Sequence, residues 1–117
     1  MSVVGNLHLE QGIAFKIAGD YDQAIREFQA VLADEPGSSE AHHQLGLVYG
    51  YTGLFDESLV ELQQAAKLDG ANLTTQIDLA KTYAMVGLYD EAKAGFEEVL
   101  RVDPTNEIAI QNMEFFE

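Results

Sequence analysis

The chain repeats itself three times, at a step of 34 residues. Small residues, aromatic residues and glycines recur in one order: Gly12, Gly46 and Ala80; Phe15, Tyr49 and Tyr83; Gly19, Gly53 and Gly87; Tyr21, Phe55 and Tyr89. A fixed period of this length is typical of stacked structural units, none of which buries its apolar face alone. The period therefore predicts an array of units, and it favours a binding surface over a reaction centre as the basis of function.

Each unit is predicted to contain two helices. Apolar residues recur three and four positions apart, as in Ala24, Phe28 and Val31, which is helical spacing and not the alternation of a strand. The recurring glycines are expected to end each first helix, since glycine tolerates the left-handed conformation. Side-chain N-caps are expected at Ser38, Asn72 and Asn106. The predicted helices span 3–17, 21–34, 39–52, 55–68, 73–86 and 89–102, with a short seventh at 107–116.

Small residues on the two arms of each predicted hairpin are expected to let the helix axes approach closely. They are Gly12 and Ala24 in the first unit and Gly46 and Ser58 in the second. Ser58 stands where the other two units have alanine, so its hydroxyl is expected to bond to the backbone of its own helix or to cost a little stability.

Length and composition predict one domain over residues 1–117. Its parts are unit 1 (5–38), unit 2 (39–72), unit 3 (73–106) and a capping or partial helix at 107–117. The chain is 47% hydrophobic and contains no cysteine, which supplies a core and excludes disulfides and cysteine-based zinc sites. With no signal-peptide pattern and no apolar run near the roughly 18 residues that span a bilayer, we expect a cytoplasmic protein without membrane insertion.

The formal net charge is −14, from 20 acidic and 6 basic residues. The acidic residues are spread over all three units. So few basic residues argue against nucleic acid or an anionic membrane as a partner. The acidity is interpreted as a solvated surface, with a preference for basic partners as the sharper alternative.

No recognisable catalytic or metal-binding pattern interrupts the repeat. The adjacent His42 and His43 point about 100° apart on a helix, and neither has a partner at i+4 with which to share a metal. His8 and His42 occupy equivalent places in successive units, so packing explains them better than ligation. The glycines punctuate helices and form no phosphate loop. The sequence therefore predicts no enzyme, no cofactor and no metal.

At these repeated positions the chain resembles the tetratricopeptide repeat (TPR) family, over roughly residues 5–106. The resemblance implies an all-α fold: an α-solenoid of three TPR helix hairpins in a right-handed superhelix, plus a short C-terminal helix. It also implies that the first helices line a concave groove and the second helices form the convex back. The family's common role, binding peptides or partner proteins without catalysis, is the function it implies here.

The implied groove is largely hydrophobic, with Tyr51, His43, Lys16 and Lys81 as polar groups. The expected partner-binding residues are Leu9, Ile13, Lys16, Ile17, His43, Leu47, Tyr51, Ile77, Lys81 and Met85. Such a surface suits an apolar or amphipathic protein segment. The alternative is that Leu9, Ile13 and Leu47 only pack between neighbouring first helices.

One subset of the family clamps a C-terminal carboxylate with lysines, asparagines and an arginine on its first helices. The matching places in this chain carry Leu9, Ile13, Gln44, Thr74 and Asp78. None supplies a positive charge, and Asp78 would repel a carboxylate. The resemblance is therefore not extended to binding of chaperone tails.

The C-terminal segment predicts a second role. Its apolar residues, Ile108, Ile110, Met113, Phe115 and Phe116, exceed the needs of an ordinary solenoid cap. Some are expected to cover unit 3, and the surplus to support self-association, giving a homo-oligomer as the alternative structural function. A frayed end is the simpler explanation of the surplus. A third, more distant hypothesis is an acidic inhibitor that offers its convex back to a basic surface.

Overall fold

The computed structural model describes residues 2–116, which form helices joined by short turns and contain no strand. The helices are α1 (Val3–Ala18), α2 (Tyr21–Asp34), α3 (Ser39–Tyr51), α4 (Phe55–Leu68), α5 (Leu73–Met85), α6 (Tyr89–Val102) and α7 (Glu107–Met113), followed by a 3₁₀ turn over Glu114–Phe116. The all-α fold of helical hairpins is confirmed. The bounds of α1–α6 agree with the predicted ones to within one residue, and only α7 is shorter, because its last turn tightens into the 3₁₀ form.

Side-chain caps begin helices α3, α5 and α7. The Ser38 hydroxyl accepts from the Ala41 amide at 3.2 Å, Asn72 from the Thr75 amide at 3.2 Å, and Asn106 from the Ala109 amide at 3.0 Å. All three predicted caps are therefore confirmed. Helices α4 and α6 follow a leucine and have no side-chain cap, but acidic residues in their first turns complement the helix dipole.

The three recurring glycines adopt the left-handed conformation predicted for them. Gly19, Gly53 and Gly87 have φ angles of 80°, 81° and 83°. The residue after each glycine donates its amide to a carbonyl near the end of the first helix, at 2.9 Å in all three units. This Schellman-type closure gives the three hairpins one turn geometry.

Each hairpin packs one face of its second helix against its own first helix and against the first helix of the next unit. Helix α2 therefore contacts both α1 and α3, and α4 contacts both α3 and α5. The largest fully buried side chains include Phe28, Leu62 and Phe96, which occupy the same repeat position on α2, α4 and α6. The array measures 45 × 26 × 20 Å, and its buried apolar residues include one cluster between units 1 and 2 and another between unit 3 and α7.

The expectation for Ser58 is wrong. Its buried hydroxyl donates to the carbonyl of Gly46 on the facing helix, at 2.7 Å, and not to its own helix. Gly46 has no side chain, so α3 approaches α4 closely enough for its carbonyl to be reached. The close approach of the two helices thus gives the buried Ser58 hydroxyl its hydrogen-bond partner.

Helix α7 and the turn after it cover the end of unit 3. Ala109 is fully buried, and Met113 and Phe116 pack against a cluster that includes Phe96 and Val99. Phe115 remains 71% exposed, and Ile108 and Ile110 are nearly half exposed. The segment therefore divides into residues that close the core and residues that face solvent. Within the described part of the chain, no helix is long and apolar enough to cross a lipid bilayer.

Candidate functional site

An open cavity of about 300 Å³ lies between units 2 and 3, and we call it the central cavity. Its walls come from α3, the start of α4, and α5, and include Leu47, Tyr51, Phe55 and Met85. Tyr51 and Met85 are 58% and 65% exposed, so large apolar surfaces face the solvent here. Exposed Lys81 also lines this cavity.

A second cavity of about 340 Å³ lies between unit 3 and α7, and we call it the end cavity. Its walls include Met85, Tyr89, Phe115 and Phe116. Met85 borders both cavities. The lining residues correspond across one repeat step: Tyr51 to Met85, Phe55 to Tyr89, Leu62 to Phe96, Asp78 to Asn112, and Lys81 to Phe115. The same kind of cavity therefore occurs twice in the repeat, and the end cavity has Asn112 and Phe115 where the central cavity has the charged Asp78 and Lys81.

The equivalent place between units 1 and 2 is occupied by the protein's own side chains. The rings of Tyr21 and Tyr51 lie 5.8 Å apart, centre to centre. The Lys16 Nζ donates to Gln44 Oε1 at 2.6 Å, tying α1 to α3. Leu9 and Ile13 pack against a core cluster that contains Phe28 and Val48. These contacts place Leu9 and Ile13 in the packing between helices. This agrees with the alternative interpretation, in which these two residues serve packing and not partner binding.

His43 and Asp78 join units 2 and 3 beside the central cavity. The His43 Nε2 lies 2.8 Å from Asp78 Oδ2, and His43 is only 7% exposed. This pair links α3 directly to α5. His43 is therefore a buried connection between repeats and not a polar group that is free at the groove surface.

The ten predicted groove residues thus separate into two groups. Leu47, Tyr51, Lys81 and Met85 come together around the central cavity. The other six do not line it: Leu9, Ile13 and Ile77 pack in the core, Lys16 and His43 are hydrogen-bonded to neighbouring helices, and Ile17 is 79% exposed on α1. Sequence reasoning also missed Phe55, Tyr89 and Phe115 as cavity walls. The repeated aromatic position of Tyr21, Phe55 and Tyr89 was the available signal for the first two.

The other histidines belong to the hairpins and not to the groove. His8 Nδ1 lies 2.5 Å from Glu27 Oε2, and His42 Nδ1 lies 2.6 Å from Glu61 Oε2, so each joins a first helix to its second helix. His42 also bonds to the carbonyl of Pro36 at 3.0 Å. Between residues 2 and 116, no three histidine, cysteine or acidic side chains are grouped as a metal site would require.

The groups with displaced pKa values lie away from both cavities. Burial raises the pKa of Tyr49, and the negative charge of Glu61 raises it further. The hydrogen bond from Arg101 lowers the pKa of the exposed Glu98. Neither cavity therefore gains an acid or base of unusual strength from these groups.

Solved structures with the same fold are TPR domains. The first TPR of Spaghetti (RPAP3), bound to the HSP90 peptide SRMEEVD, superposes with a TM-score of 0.91 at 19% identity, covering 97% of this chain and 90% of that one. The Arabidopsis OM64 TPR domain gives 0.88 at 15% identity, covering 95% and 92%. YrrB, described as a TPR protein with an unusual peptide-binding site, gives 0.85 at 18% identity, covering 97% of this chain and 58% of that one. These identities support the fold alone.

A search of curated proteins found no match. The sequence model of the tetratricopeptide repeat matches residues 51–114, which is more than half of the chain. That match, together with three hairpins of one geometry and the agreement with solved TPR domains, shows that the chain belongs to the tetratricopeptide repeat family.

Proposed function

We propose that this chain is a protein-interaction module that binds an apolar or amphipathic protein segment in its groove, without catalysis. The observation that carries the proposal is the central cavity, where the exposed parts of Tyr51 and Met85 adjoin Leu47 in one concave space. Contiguous exposed apolar surface in a concave site is typical of ligand and partner binding. The RPAP3 TPR domains, which share this fold, are solved with HSP90 and HSP70 peptides, and this supports peptide binding in general rather than a particular ligand chemistry.

The proposed ligand is not a C-terminal carboxylate held by a clamp. The Gln44 Nε2 already donates to Glu40 while its Oε1 accepts from Lys16, and Asp78 is itself a carboxylate paired with His43, so neither side chain offers a free donor to a carboxylate. Thr74 is exposed but uncharged. The remaining matching places, Leu9 and Ile13, are apolar and partly buried. Apolar contacts, and not a terminal charge, therefore supply the proposed affinity.

The test is partner capture from the native lysate by the wild type and by the Tyr51→Glu and Leu47→Asp variants. Val60→Glu on α4 is the matched control, since Val60 is 56% exposed and lines neither cavity. Circular dichroism checks that every variant is folded. We expect the two groove variants to lose the partner and the control to retain it. Equal capture by folded groove variants would exclude the groove as the binding site.

Self-association through the C-terminal segment is the second candidate, favoured by the exposure of Phe115, Ile108 and Ile110. Met113 and Phe116 belong to the core of unit 3, so the surface available to another copy is limited to the exposed residues. Light scattering of the wild type and of an Ile110→Ser, Phe115→Ser variant decides between the two candidates. A dimer that the double variant loses would support self-association, and a monomer at high concentration would remove it.

A further inference from the structure

We infer that the groove is built for a segment with two large apolar side chains, one for the central cavity and one for the end cavity, flanked by basic residues. The inference rests on the proposed function and specifies its ligand. It starts from the one-step correspondence between the two cavities and from Met85, which forms part of both walls. Two adjoining copies of one cavity accept the same kind of side chain twice.

The spacing of the two side chains follows from helix packing. The cavities lie one repeat apart along α3, α5 and α7, and neighbouring packed helices have axes about 8–10 Å apart. A separation of roughly 10 Å corresponds to about three residues of a chain in the extended polyproline II conformation, in which side chains recur on one face every three residues. In a helical ligand the same separation corresponds to about seven residues. Adjacent apolar side chains on one ligand are too close together to enter both cavities.

The position of the ligand along the groove is also determined. At the unit 1 end, the contact between Tyr21 and Tyr51 and the hydrogen bond from Lys16 to Gln44 occupy the equivalent place. The two apolar side chains therefore enter toward the C-terminal end of the array. Ile17, although 79% exposed, lies outside this region.

Charge complementarity specifies the residues that flank the apolar pair. Phe55, a wall of the central cavity, is followed directly by exposed Asp56 and Glu57. Tyr89, a wall of the end cavity, is followed by the equivalent exposed Asp90 and Glu91. Lys81 in the lining of the central cavity is outnumbered by these four carboxylates beside the walls, so within a chain of net charge −14 the groove repels an acidic segment and attracts a basic one. The ligand is thus apolar at two points and basic beside them.

Fluorescence anisotropy with defined peptides tests the inference. The probes are short labelled peptides in a glycine–serine background, with lysines at both ends and two phenylalanines three or seven residues apart. The comparison peptides have one phenylalanine, two adjacent phenylalanines, or glutamates in place of the lysines. We expect at least one of the spaced two-phenylalanine peptides to bind at least tenfold more tightly than every comparison peptide.

Protein variants assign each phenylalanine to its cavity. Phe115→Ser alters a wall of the end cavity and is expected to reduce two-phenylalanine binding to the level at which the one-phenylalanine peptide binds the same variant. Met85→Glu is expected to weaken binding of all the phenylalanine peptides. Val60→Glu, which adds the same charge on a side chain of similar exposure, is expected to have no effect.

The results separate the inference from the proposed function. If Met85→Glu weakens binding but one phenylalanine serves as well as two, or glutamates serve as well as lysines, the two-point basic ligand is wrong and the groove remains a binding site. If no peptide binds, or Met85→Glu has no effect in a folded protein, both are wrong. A dimer in light scattering that Met85→Glu abolishes would make a second copy the occupant and would also overturn the inference.

Discussion

At the scale of single residues, the two helices of each hairpin can approach closely because one of them has a glycine, which has no side chain, at the contact. A Cβ atom built on Gly12 would lie 2.5 Å from Cε1 of Phe28, and one on Gly46 would lie 2.7 Å from Cγ of Leu62. Unit 3 has Ala80 at this position, but Gly95 faces it from α6, where a Cβ would lie 2.9 Å from that of Ala80. In unit 3 the glycine at the contact therefore lies on the second helix instead of the first, and the two helices still approach closely.

Replacing Gly12 with alanine tests this close approach. The added methyl group gains about 1 kcal/mol of helix propensity but displaces the fully buried ring of Phe28, and such overpacking costs about 1–3 kcal/mol. We therefore expect Gly12→Ala to lower the free energy of unfolding by about 1 kcal/mol in urea denaturation. Gly37→Ala, where a Cβ meets nothing within 4 Å, is the control. Equal stability of the two variants would show that the hairpin is looser than described.

The histidine–glutamate pairs of units 1 and 2 are replaced by other residue types in unit 3. His8 and His42 pair with Glu27 and Glu61 at positions where unit 3 has Gln76 and Gly95. His42 has two oxygen partners and a side chain that is 14% exposed, whereas His8 is 35% exposed and bonds to Glu27. The two histidines therefore differ in how much their hydrogen bonds contribute.

We expect His42→Ala to reduce the free energy of unfolding by about 1–3 kcal/mol, the range for buried bonds to charged groups. His8→Ala is expected to cost less than about 1 kcal/mol, because its pair is more exposed to solvent. Urea denaturation of both variants at one pH measures the difference. A larger loss for His8→Ala would contradict the assignment of the stronger contacts to His42.

At the scale of helices and hairpins, the sequence was sufficient to predict nearly all of the fold. Capping residues, glycines with positive φ and helical spacing act within a few residues, so Ser38, Gly53 and Asn72 indicate helix ends without knowledge of the tertiary structure. Ser58 shows the limit of that reasoning. Its partner, Gly46, lies 12 residues away on the facing helix and comes within reach only because the hairpin closes tightly.

Helix α7 acts as the cover of unit 3, and the two phenylalanines after it have different roles. The ring of Phe116 lies 6.3 Å from that of Phe96 and packs against the core, whereas Phe115 is mostly exposed beside Tyr89. We expect Phe116→Ala to cost about 3 kcal/mol, the low end of the range for truncating packed aromatic residues, because Phe116 is only partly buried. Phe115→Ala is expected to cost less than about 1 kcal/mol.

Urea denaturation, together with hydrogen exchange of the α6 amides, measures both variants. Faster exchange in α6 is expected for Phe116→Ala alone, since that ring covers Phe96. The same loss of protection in Phe115→Ala, or none in Phe116→Ala, would contradict the described division between cover and exposed surface.

At the scale of the whole molecule, the candidate site is a product of stacking, and this explains why it was only partly predicted. The family resemblance, applied to residues of the first helices, gave ten groove residues, but the inter-unit contacts of Tyr21, His43 and Lys16 decide which of them face open space. Those contacts join residues of different units, so they leave no recognisable pattern in the local amino-acid sequence. Phe115 was noticed as apolar, and its place in the end cavity depends on how α7 packs on unit 3.

The net charge of −14 gives a prediction for the molecule as a whole. Raising the ionic strength from about 0.01 M to 0.15 M shortens the Debye length from about 30 Å to about 8 Å, which screens repulsion among the acidic side chains. We expect the melting temperature to rise by a few degrees, as measured by circular dichroism. Sodium chloride and choline chloride should act equally, since screening does not depend on the cation. A flat or falling melting temperature would contradict the prediction.

The central claim is that the open cavities between units 2 and 3, and between unit 3 and α7, form the binding surface. Chemical-shift mapping by NMR tests it most directly, with the spaced two-phenylalanine peptide titrated into the ¹⁵N-labelled protein. The account predicts that the largest shifts fall on Leu47, Tyr51, Met85 and Phe115, and that Val60 on α4 does not move. Shifts centred on the convex helices, or an unchanged spectrum at saturating peptide, would contradict it.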